Sequence, residues 1–211
     1  MANNTGLLLL VRHTESAWNK LNVFTGWVDV PLSDNGRAHA VRVGEAMAGH
    51  YTVDKAYTSG LERAQETLTL VMQGAGITGI EIVEAWELNE RYYGAWQGKN
   101  KAQTAEKFGD DAVHAVRRGY SPRPPGGESL EDTCDRVIPY FDATIEPELA
   151  AGKTILMAAH GNSLRALAKK LLNLSETVVP TFEIANGELL AFRYDAATDT
   201  YTREDAPQAP K

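Results

Sequence analysis

Residues 7–16 have the sequence LLLLVRHTES, an aliphatic run that ends abruptly in polar residues. Such a run is typical of a parallel strand that is buried on both faces. Arg12 and His13 would then lie at the carboxyl end of the strand, the edge at which open α/β sheets bind ligands. An arginine can hold and neutralise a phosphoryl group while a neutral imidazole attacks phosphorus, so the pair indicates covalent phosphoryl chemistry. The alternative, for this dipeptide alone, is a strand end with a surface histidine.

A second strand repeats this arrangement later in the chain. Residues 154–163 have the sequence TILMAAHGNS, in which an apolar run again ends in a histidine, His160. Gly161 permits a tight turn, and Asn162 or Ser163 can cap the helix that we predict to follow. The first amides of that helix would form an anion site. Packing alone does not readily explain two such histidines, and their repetition favours a shared site.

Apolar runs and amphipathic segments alternate along the chain. We predict strands near 7–11, 54–58, 80–84 and 153–158, and helices near 34–49, 61–73, 129–151 and 163–173. This alternation predicts a single three-layer α/β domain over 1–211, with a mainly parallel sheet flanked by helices on both faces. Asn186-Gly187, between 181–185 and 189–194, is expected to form a hairpin turn. The core would span about 7–194, and 196–211 would be a poorly ordered tail.

Bulk properties restrict the class of protein. A length of 211 residues suits one domain with a sizeable core, and the formal net charge of −7 argues against general attraction to nucleic acid or membranes. An anionic substrate would therefore need local cations. Cys134 is the single cysteine, so no internal disulfide is possible, and no Cys/His cluster suggests a metal. No segment resembles a signal peptide or a membrane span, and we expect a cytoplasmic protein.

Residues 74–79, GAGITG, match the pattern G-x-G-x-x-G. A dinucleotide-binding loop must follow a strand and open a helix, whereas this segment follows a predicted helix and precedes a predicted strand. We therefore interpret it as a helix stop and a turn.

The two histidine motifs, with other blocks of the chain, resemble a known family. Arg12-His13 with the distant His160 is similar to the signature of the histidine phosphatase superfamily. Narrower blocks resemble its 2,3-bisphosphoglycerate-dependent phosphoglycerate mutases, and they are residues 16–19 (SAWN), 24–27 (FTGW), 87–94 (ELNERYYG), 97–101 (QGKNK) and 117–118 (RR). The resemblance runs from about Leu7 to about Tyr194, which is nearly the whole chain.

The resemblance implies a phosphoglycerate mutase-like fold and a metal-independent isomerase of glycolysis and gluconeogenesis. Such an enzyme interconverts 3-phosphoglycerate and 2-phosphoglycerate and is primed by 2,3-bisphosphoglycerate. His13 would carry the phosphoryl group, Glu90 would act as general acid and base, and Arg12, Arg63 and His160 would surround the transferring group. The residues expected to bind substrate are Arg12, Ser16, Asn19, Thr25, Gly26, Arg63, Glu90, Arg91, Tyr93, Lys101, Arg117, Arg118, Gly161 and Asn162. A neighbouring anionic phosphate is expected to raise the pKa of Glu90.

The chain departs from this family at Thr14, where glycine is usual. The Cβ of Thr14 restricts the backbone, and its hydroxyl could contact the phosphoryl group or a water. The segment 119–127 is also short, which leaves the balance of mutase and phosphatase activity open. Two alternatives to the mutase remain: a phosphatase of the same superfamily, and an inactive phospholigand-binding protein. An inactive phospholigand-binding protein would be expected to have lost His13, Arg63, Glu90 or His160, and all four are present. A homo-oligomer is possible, and we expect no partner beyond small phosphorylated acids.

Overall fold

A computed structural model describes residues 5–210, so residues 1–4 and 211 of the predicted domain lie outside the described range. Its sheet has six strands in the order β3-β2-β4-β1-β5-β6. The strands are β1 (Thr5–Arg12), β2 (Lys55–Thr58), β3 (Glu81–Glu84), β4 (Thr154–Ala159), β5 (Leu189–Asp195) and β6 (Thr200–Glu204). The first four in this list are mutually parallel where they pair, whereas β5 is antiparallel to β1 and β6 to β5. The predicted α/β architecture with a mainly parallel sheet is confirmed.

Helices cover both faces of the sheet. They are α1 (Ala17–Lys20), α2 (Asp34–Met47), α3 (Glu62–Ala75), α4 (Lys101–Phe108), α5 (Asp110–Arg118), α6 (Leu130–Tyr140), α7 (Glu146–Ala150) and α8 (Gly161–Leu171). Shorter 3₁₀ turns span Trp86–Leu88, Gly94–Trp96 and Val179–Thr181. None of the helices in residues 5–210 is both long enough and apolar enough to cross a membrane.

The aliphatic run of β1 separates the two cores. Leu8 and Leu10 pack with α6, α7 and α8, while Leu7, Leu9 and Val11 pack with α2 and α3. Because successive side chains of a strand point to opposite faces, a strand between two helical layers must be apolar throughout. This requirement explains why an uninterrupted apolar run predicted the central strand correctly.

The predicted helix over 129–151 is confirmed as an unbroken helical stretch, but its hydrogen-bond pattern changes within it. After α6, the chain forms a π-helical turn over Phe141–Ile145 and only then α7. Pro139 lies inside α6 and Pro147 is the second residue of α7, and proline has no N–H to donate to the preceding turn. The G-x-G-x-x-G segment behaves as predicted, because Gly76 ends α3 in a left-handed conformation with a φ of 69°.

The predicted hairpin at Asn186-Gly187 is wrong. Residues 181–185 form no strand, and β5 pairs with β1 instead. The turn is held by the end of β1, since the Gly187 N–H donates to the Arg12 carbonyl at 3.0 Å. The hairpin occurs one connection later, between β5 and β6. The prediction of a tail over 196–211 is therefore wrong for Thr200–Glu204, which forms the edge strand.

Parallel pairing brings three strand ends together at one edge. Arg12 is in register with Ala159, and Thr58 with Ala158. The residues that follow β1, β2 and β4 therefore converge, as the rule for parallel sheets requires. A small separate cluster of Phe24, Trp96, Val113 and Val116 fixes α5 over this edge.

Candidate active site

The histidines that follow β1 and β4 contact each other. The ring centroids of His13 and His160 are 5.0 Å apart, and both residues are buried. The His13 backbone N–H donates to the carbonyl of Ala159 at 2.8 Å, which continues the β1–β4 ladder into the site. The two motifs therefore form one site.

The His13 ring has a defined orientation. Its Nδ1 lies 2.7 Å from the Thr14 carbonyl, which can only accept, so Nδ1 carries the proton and Nε2 keeps its lone pair. Burial, followed by the charges of Arg63 and Arg12, lowers the pKa of His13 well below 6.5. The imidazole is consequently neutral at pH 7, the form that can attack phosphorus.

His160 is oriented from behind by the residue that follows β2. Ser59 Oγ lies 2.7 Å from His160 Nε2 and also accepts the Leu61 N–H at 3.2 Å. The hydroxyl hydrogen of Ser59 is then available for Nε2, which leaves the proton of the His160 ring on Nδ1. Burial and the neighbouring Arg63, His13 and Arg12 lower the pKa of His160 well below 6.5.

Three buried nitrogens around His13 have no hydrogen-bond partner within residues 5–210, namely Arg12 Nε, Arg63 Nε and His160 Nδ1. Each such group costs about 1–3 kcal/mol when it is left unpaired. Carbonyls hold other nitrogens of both guanidinium groups: Arg12 Nη1 donates to Ile184 at 2.6 Å, and Arg63 Nη2 donates to Gly26 at 2.8 Å. Arg12 and Arg63 line the same cavity as His13, so an anion bound there would meet two guanidinium groups.

Glu90 is fixed on one oxygen. Its Oε1 accepts hydrogen bonds from the backbone N–H of Arg91 at 2.8 Å and from the backbone and side chain of Asn162 at 3.0 and 2.9 Å. Burial raises the pKa of Glu90, but these hydrogen bonds and the charges of Arg63 and Arg12 outweigh burial and lower it. This lowered pKa belongs to the free protein, whereas the expected rise in the pKa of Glu90 concerns the site with a phosphate bound. An anion that neutralised the arginines would move the pKa upward.

A cavity of about 140 Å³ opens onto His13. Thirteen of the predicted residues line it: Arg12, His13, Asn19, Thr25, Gly26, Arg63, Glu90, Tyr93, Lys101, Arg117, Arg118, Gly161 and Asn162. With Arg165, the lining contains six basic side chains, against the two carboxylates of Glu90 and Glu183. The basic side chains of the lining outnumber its carboxylates by four, so the cavity is locally cationic although the whole chain has a net charge of −7.

Residues 8–204 match the family model described as histidine phosphatase superfamily, branch 1. The chain belongs to the histidine phosphatase superfamily. It is 49% identical over 193 residues, 91% of each chain, to a 2,3-bisphosphoglycerate-dependent phosphoglycerate mutase of Methylobacterium radiotolerans. A phosphoglycerate mutase of Schizosaccharomyces pombe is 45% identical over 190 residues, 90% of each chain.

Solved structures of other proteins share the fold. Mycobacterial glucosyl-3-phosphoglycerate phosphatase superposes with a TM-score of 0.81, over 98% of this chain and 100% of its own, at 24% identity. Bacillus stearothermophilus YhfR superposes with a TM-score of 0.83, over 94% of this chain and 95% of its own, also at 24% identity. At this identity the likeness concerns the architecture alone.

Two residues predicted to bind substrate do not line the cavity. Ser16 caps α1 and bonds to Asn19, its Oγ lying 2.9 Å from Asn19 Oδ1. Arg91 is fully buried and donates to the Val116 carbonyl and the Tyr93 hydroxyl, both at 2.9 Å. Through these contacts, Ser16 holds Asn19 and Arg91 holds Tyr93 in place in the cavity lining. His160, predicted as catalytic, also lies behind the lining, against the His13 ring.

Sequence reasoning missed four residues around the cavity. Arg165 lies one helical turn after Asn162, so the period of an α-helix could have predicted that both side chains lie on the same face. Ser59 directly follows β2, just as His13 and His160 follow β1 and β4, so its position at a strand end could have predicted it. Asn186 donates to the His13 carbonyl at 2.7 Å, and Glu183 precedes it in the same loop. No local pattern shows that this loop returns to β1.

Thr14 is fully buried and does not line the cavity. Its N–H donates to Thr67 Oγ1 at 3.2 Å, and its hydroxyl lies 3.4 Å from the same atom. Its φ is not among the positive values of the chain, so the Cβ is accommodated without strain. The expectation that this hydroxyl contacts the phosphoryl group or a water beside it is wrong, because α3 supplies its partner.

Proposed function

We propose that this protein interconverts 3-phosphoglycerate and 2-phosphoglycerate through a phosphohistidine at His13, primed by 2,3-bisphosphoglycerate. The observation that carries the proposal is a cavity lined by six basic side chains that opens onto a neutral His13 with a free Nε2. The relatives at 45–49% identity that are named as phosphoglycerate mutases give the substrate class. A role in glycolysis and gluconeogenesis would agree with the cytoplasmic location that we propose.

The cycle begins with a phosphorylated His13. The 2-hydroxyl of 3-phosphoglycerate attacks phosphorus, the P–N bond breaks, and the hydroxyl proton passes to Glu90. The resulting 2,3-bisphosphoglycerate reorients within the cavity. His13 Nε2 then attacks the phosphorus at position 3, and Glu90 returns the proton to the departing oxygen. The product is 2-phosphoglycerate, and His13 is phosphorylated again.

The cationic groups stabilise charge through both transfers. Arg12, Arg63 and His160 hold the equatorial oxygens of the transferring group, since positioning and neutralisation supply most of phosphoryl-transfer catalysis. The outer cations of the cavity, Lys101, Arg117 and Arg118, hold the carboxylate and the other phosphate of the substrate. Asn19, Thr25, Gly26, Tyr93, Gly161 and Asn162 complete the predicted contacts.

The environment of Glu90 suits a group that both accepts and returns a proton. Hydrogen bonds and arginine charges keep it ionised in the free site, so that it can accept the hydroxyl proton. A phosphoryl group beside Arg12 and Arg63 neutralises these charges and raises the pKa of Glu90 while the proton is held. This change brings the carboxyl group closer to the range that general acid–base catalysis requires.

The proposal is tested by the interconversion of 2- and 3-phosphoglycerate, followed with and without added 2,3-bisphosphoglycerate. We expect rapid interconversion that depends on the bisphosphate when the starting protein is unphosphorylated. The alternative, a phosphatase of the same superfamily, would release inorganic phosphate faster than it isomerises the substrate. That result would overturn the mutase assignment.

Activity should persist after exhaustive treatment with EDTA. The arginines of the cavity supply the positive charge, and no group of three or more metal-binding side chains is arranged as a metal site within residues 5–210. The measurement is the isomerisation rate before and after chelation. A loss of turnover that manganese or magnesium restores would contradict the proposed charge balance.

Thr14→Gly should leave the ratio of phosphate release to isomerisation almost unchanged. The hydroxyl of Thr14 bonds to Thr67 and supplies nothing to the reacting group. We expect a loss of stability of about 1 kcal/mol, typical of a substitution that removes buried contacts, with only a modest change in mutase activity. Thr14→Ser, which keeps the hydroxyl, is the matched control. A high ratio in the unmodified protein that collapses in Thr14→Gly would instead show that Thr14 recruits water.

A further inference from the structure

One carboxylate in the wall of the cavity has no role in the proposed cycle. Glu183 Oε1 pairs with Arg118 Nη1, and Glu183 Oε2 lies 3.1 Å from Arg165 Nη2. Each oxygen thus contacts a different arginine of the lining. A ligand carboxylate or a second phosphoryl group would make the same pair of contacts, because arginines bind both carboxylates and phosphates through two oxygens.

The two arginines differ in how firmly they are held. Arg165 is buried, and it also donates to the Phe182 carbonyl at 2.7 Å and to Asn162 Oδ1 at 3.3 Å. Arg118, the last residue of α5, is one-third exposed and has Glu183 as its sole ion-pair partner within residues 5–210. Arg118 is therefore the arginine that a ligand can capture by exchange.

Glu183 is suited to being displaced. Its side chain is 60% exposed, so its carboxylate can return to water at low cost. Its charge also acts across the cavity. Burial lowers the pKa of Arg12, and Glu183 is among the carboxylates that oppose this effect. An incoming polyanion therefore meets a negative charge at the outer end of the site while its first phosphoryl group binds near His13.

We propose that Glu183 is an internal substitute for the ligand's second anionic group, which must displace it from Arg118 to bind. The inference rests on the proposed function in one respect, that the natural ligand carries two anionic groups. Glu183 then weakens the binding of dianionic ligands selectively, because a ligand with a single phosphate can bind beside His13 without reaching Arg118. The residue would limit retention of the most highly charged ligand, the bisphosphate.

The test compares the full-length protein with Glu183→Gln, which keeps the size of the side chain and removes its charge. The first probe is 3-phosphonopropionate, which carries a phosphonate and a carboxylate and cannot transfer its phosphonate. The second probe is inorganic phosphate. Both dissociation constants are measured by calorimetry. Glu176→Gln, an exposed position outside the cavity, is the control for the same change in net charge.

We expect Glu183→Gln to bind 3-phosphonopropionate up to about fivefold more tightly, the size expected when one unit charge stops competing at a partly exposed site. Inorganic phosphate should change by less than about twofold, and Glu176→Gln should alter neither constant. In an Arg118→Ala background, the gain from Glu183→Gln should disappear, because the competition is for Arg118.

Equal or weaker binding of the phosphonate by Glu183→Gln, including the absence of measurable binding by either protein, would overturn the inference. Weaker binding would mean that Glu183 orients Arg118 for the ligand. An equal gain for both probes would mean a general effect of charge and would likewise overturn it. Isomerisation by the unmodified protein is measured separately, so failure of the mutase proposal is distinguished from failure of this one.

Discussion

His13→Ala should take up no acid-labile phosphate from labelled 2,3-bisphosphoglycerate, and its kcat should fall by at least about 10⁴-fold. The reason is specific to the ring geometry. Nδ1 is bonded to the Thr14 carbonyl, which leaves Nε2 as the nucleophile in a cavity that Arg12 and Arg63 also line. Alanine removes this atom, and no side chain close to it can replace it, because the Nδ1 of His160 is the protonated nitrogen in the proposed arrangement.

Two controls separate chemistry from folding. His50→Ala changes an exposed histidine far from the cavity and should label normally. His13→Gln keeps a polar side chain of similar length and should fail to label, as alanine does, while unfolding at nearly the same temperature as the unmodified protein. Normal labelling of both His13 variants would assign the phosphoryl group to another residue.

The pKa of His13 also predicts how the rate of labelling responds to pH. Burial and the charges of Arg63 and Arg12 hold the pKa of His13 well below 6.5, so its neutral form persists as the pH falls. The rate of labelling of the unphosphorylated protein should therefore stay level as the pH falls through 6.5, where an ordinary histidine would be half protonated. A decline centred on 6.5 would mean that His13 is not buried among these charges.

The contact between His13 and His160 could be predicted because it depends on strand ends. Leu7–Val11 and Ile155–Ala159 are apolar throughout, which identifies buried parallel strands, and parallel strands deliver their following residues to one edge. His13 and His160 could be placed together from this rule alone. The predicted contacts of Asn19, Tyr93 and Lys101 came instead from resemblance to a family, since those residues lie in loops or at helix ends.

What could not be predicted depends on contacts between distant segments. Asn186-Gly187 has the local pattern of a hairpin, yet the loop is held by the backbone of Arg12 and His13, which no local pattern encodes. Thr14 was expected beside the phosphoryl group because it follows His13, but its side chain bonds to Thr67 on α3. The pKa of Glu90 likewise depends on hydrogen bonds from Asn162, more than 70 positions away in the chain.

Glu90→Gln should lower kcat by roughly 10²–10⁴-fold, the loss expected when general acid–base catalysis is removed. Glutamine keeps an oxygen that can accept the hydrogen bonds of Arg91 and Asn162, so the fold and the cavity should persist. It has no carboxylate to accept the hydroxyl proton. Both phosphoryl transfers in the cycle need that proton to move, and the effect should therefore appear in kcat with little change in KM.

Arg117→Ala provides the contrast, because Arg117 lines the outer cavity and lies away from the reacting phosphorus in the proposed cycle. An interaction that is equally strong in the ground and transition states changes KM and leaves kcat nearly unchanged. Steady-state kinetics of both variants, with thermal unfolding as the check on folding, distinguish the two roles. If Glu90→Gln changed only KM, as Arg117→Ala is expected to do, Glu90 would be a binding residue and the proton would need another acceptor. The hydrogen bonds that hold Glu90 Oε1 leave its second oxygen for the substrate, and this arrangement is why we expect the loss in kcat instead.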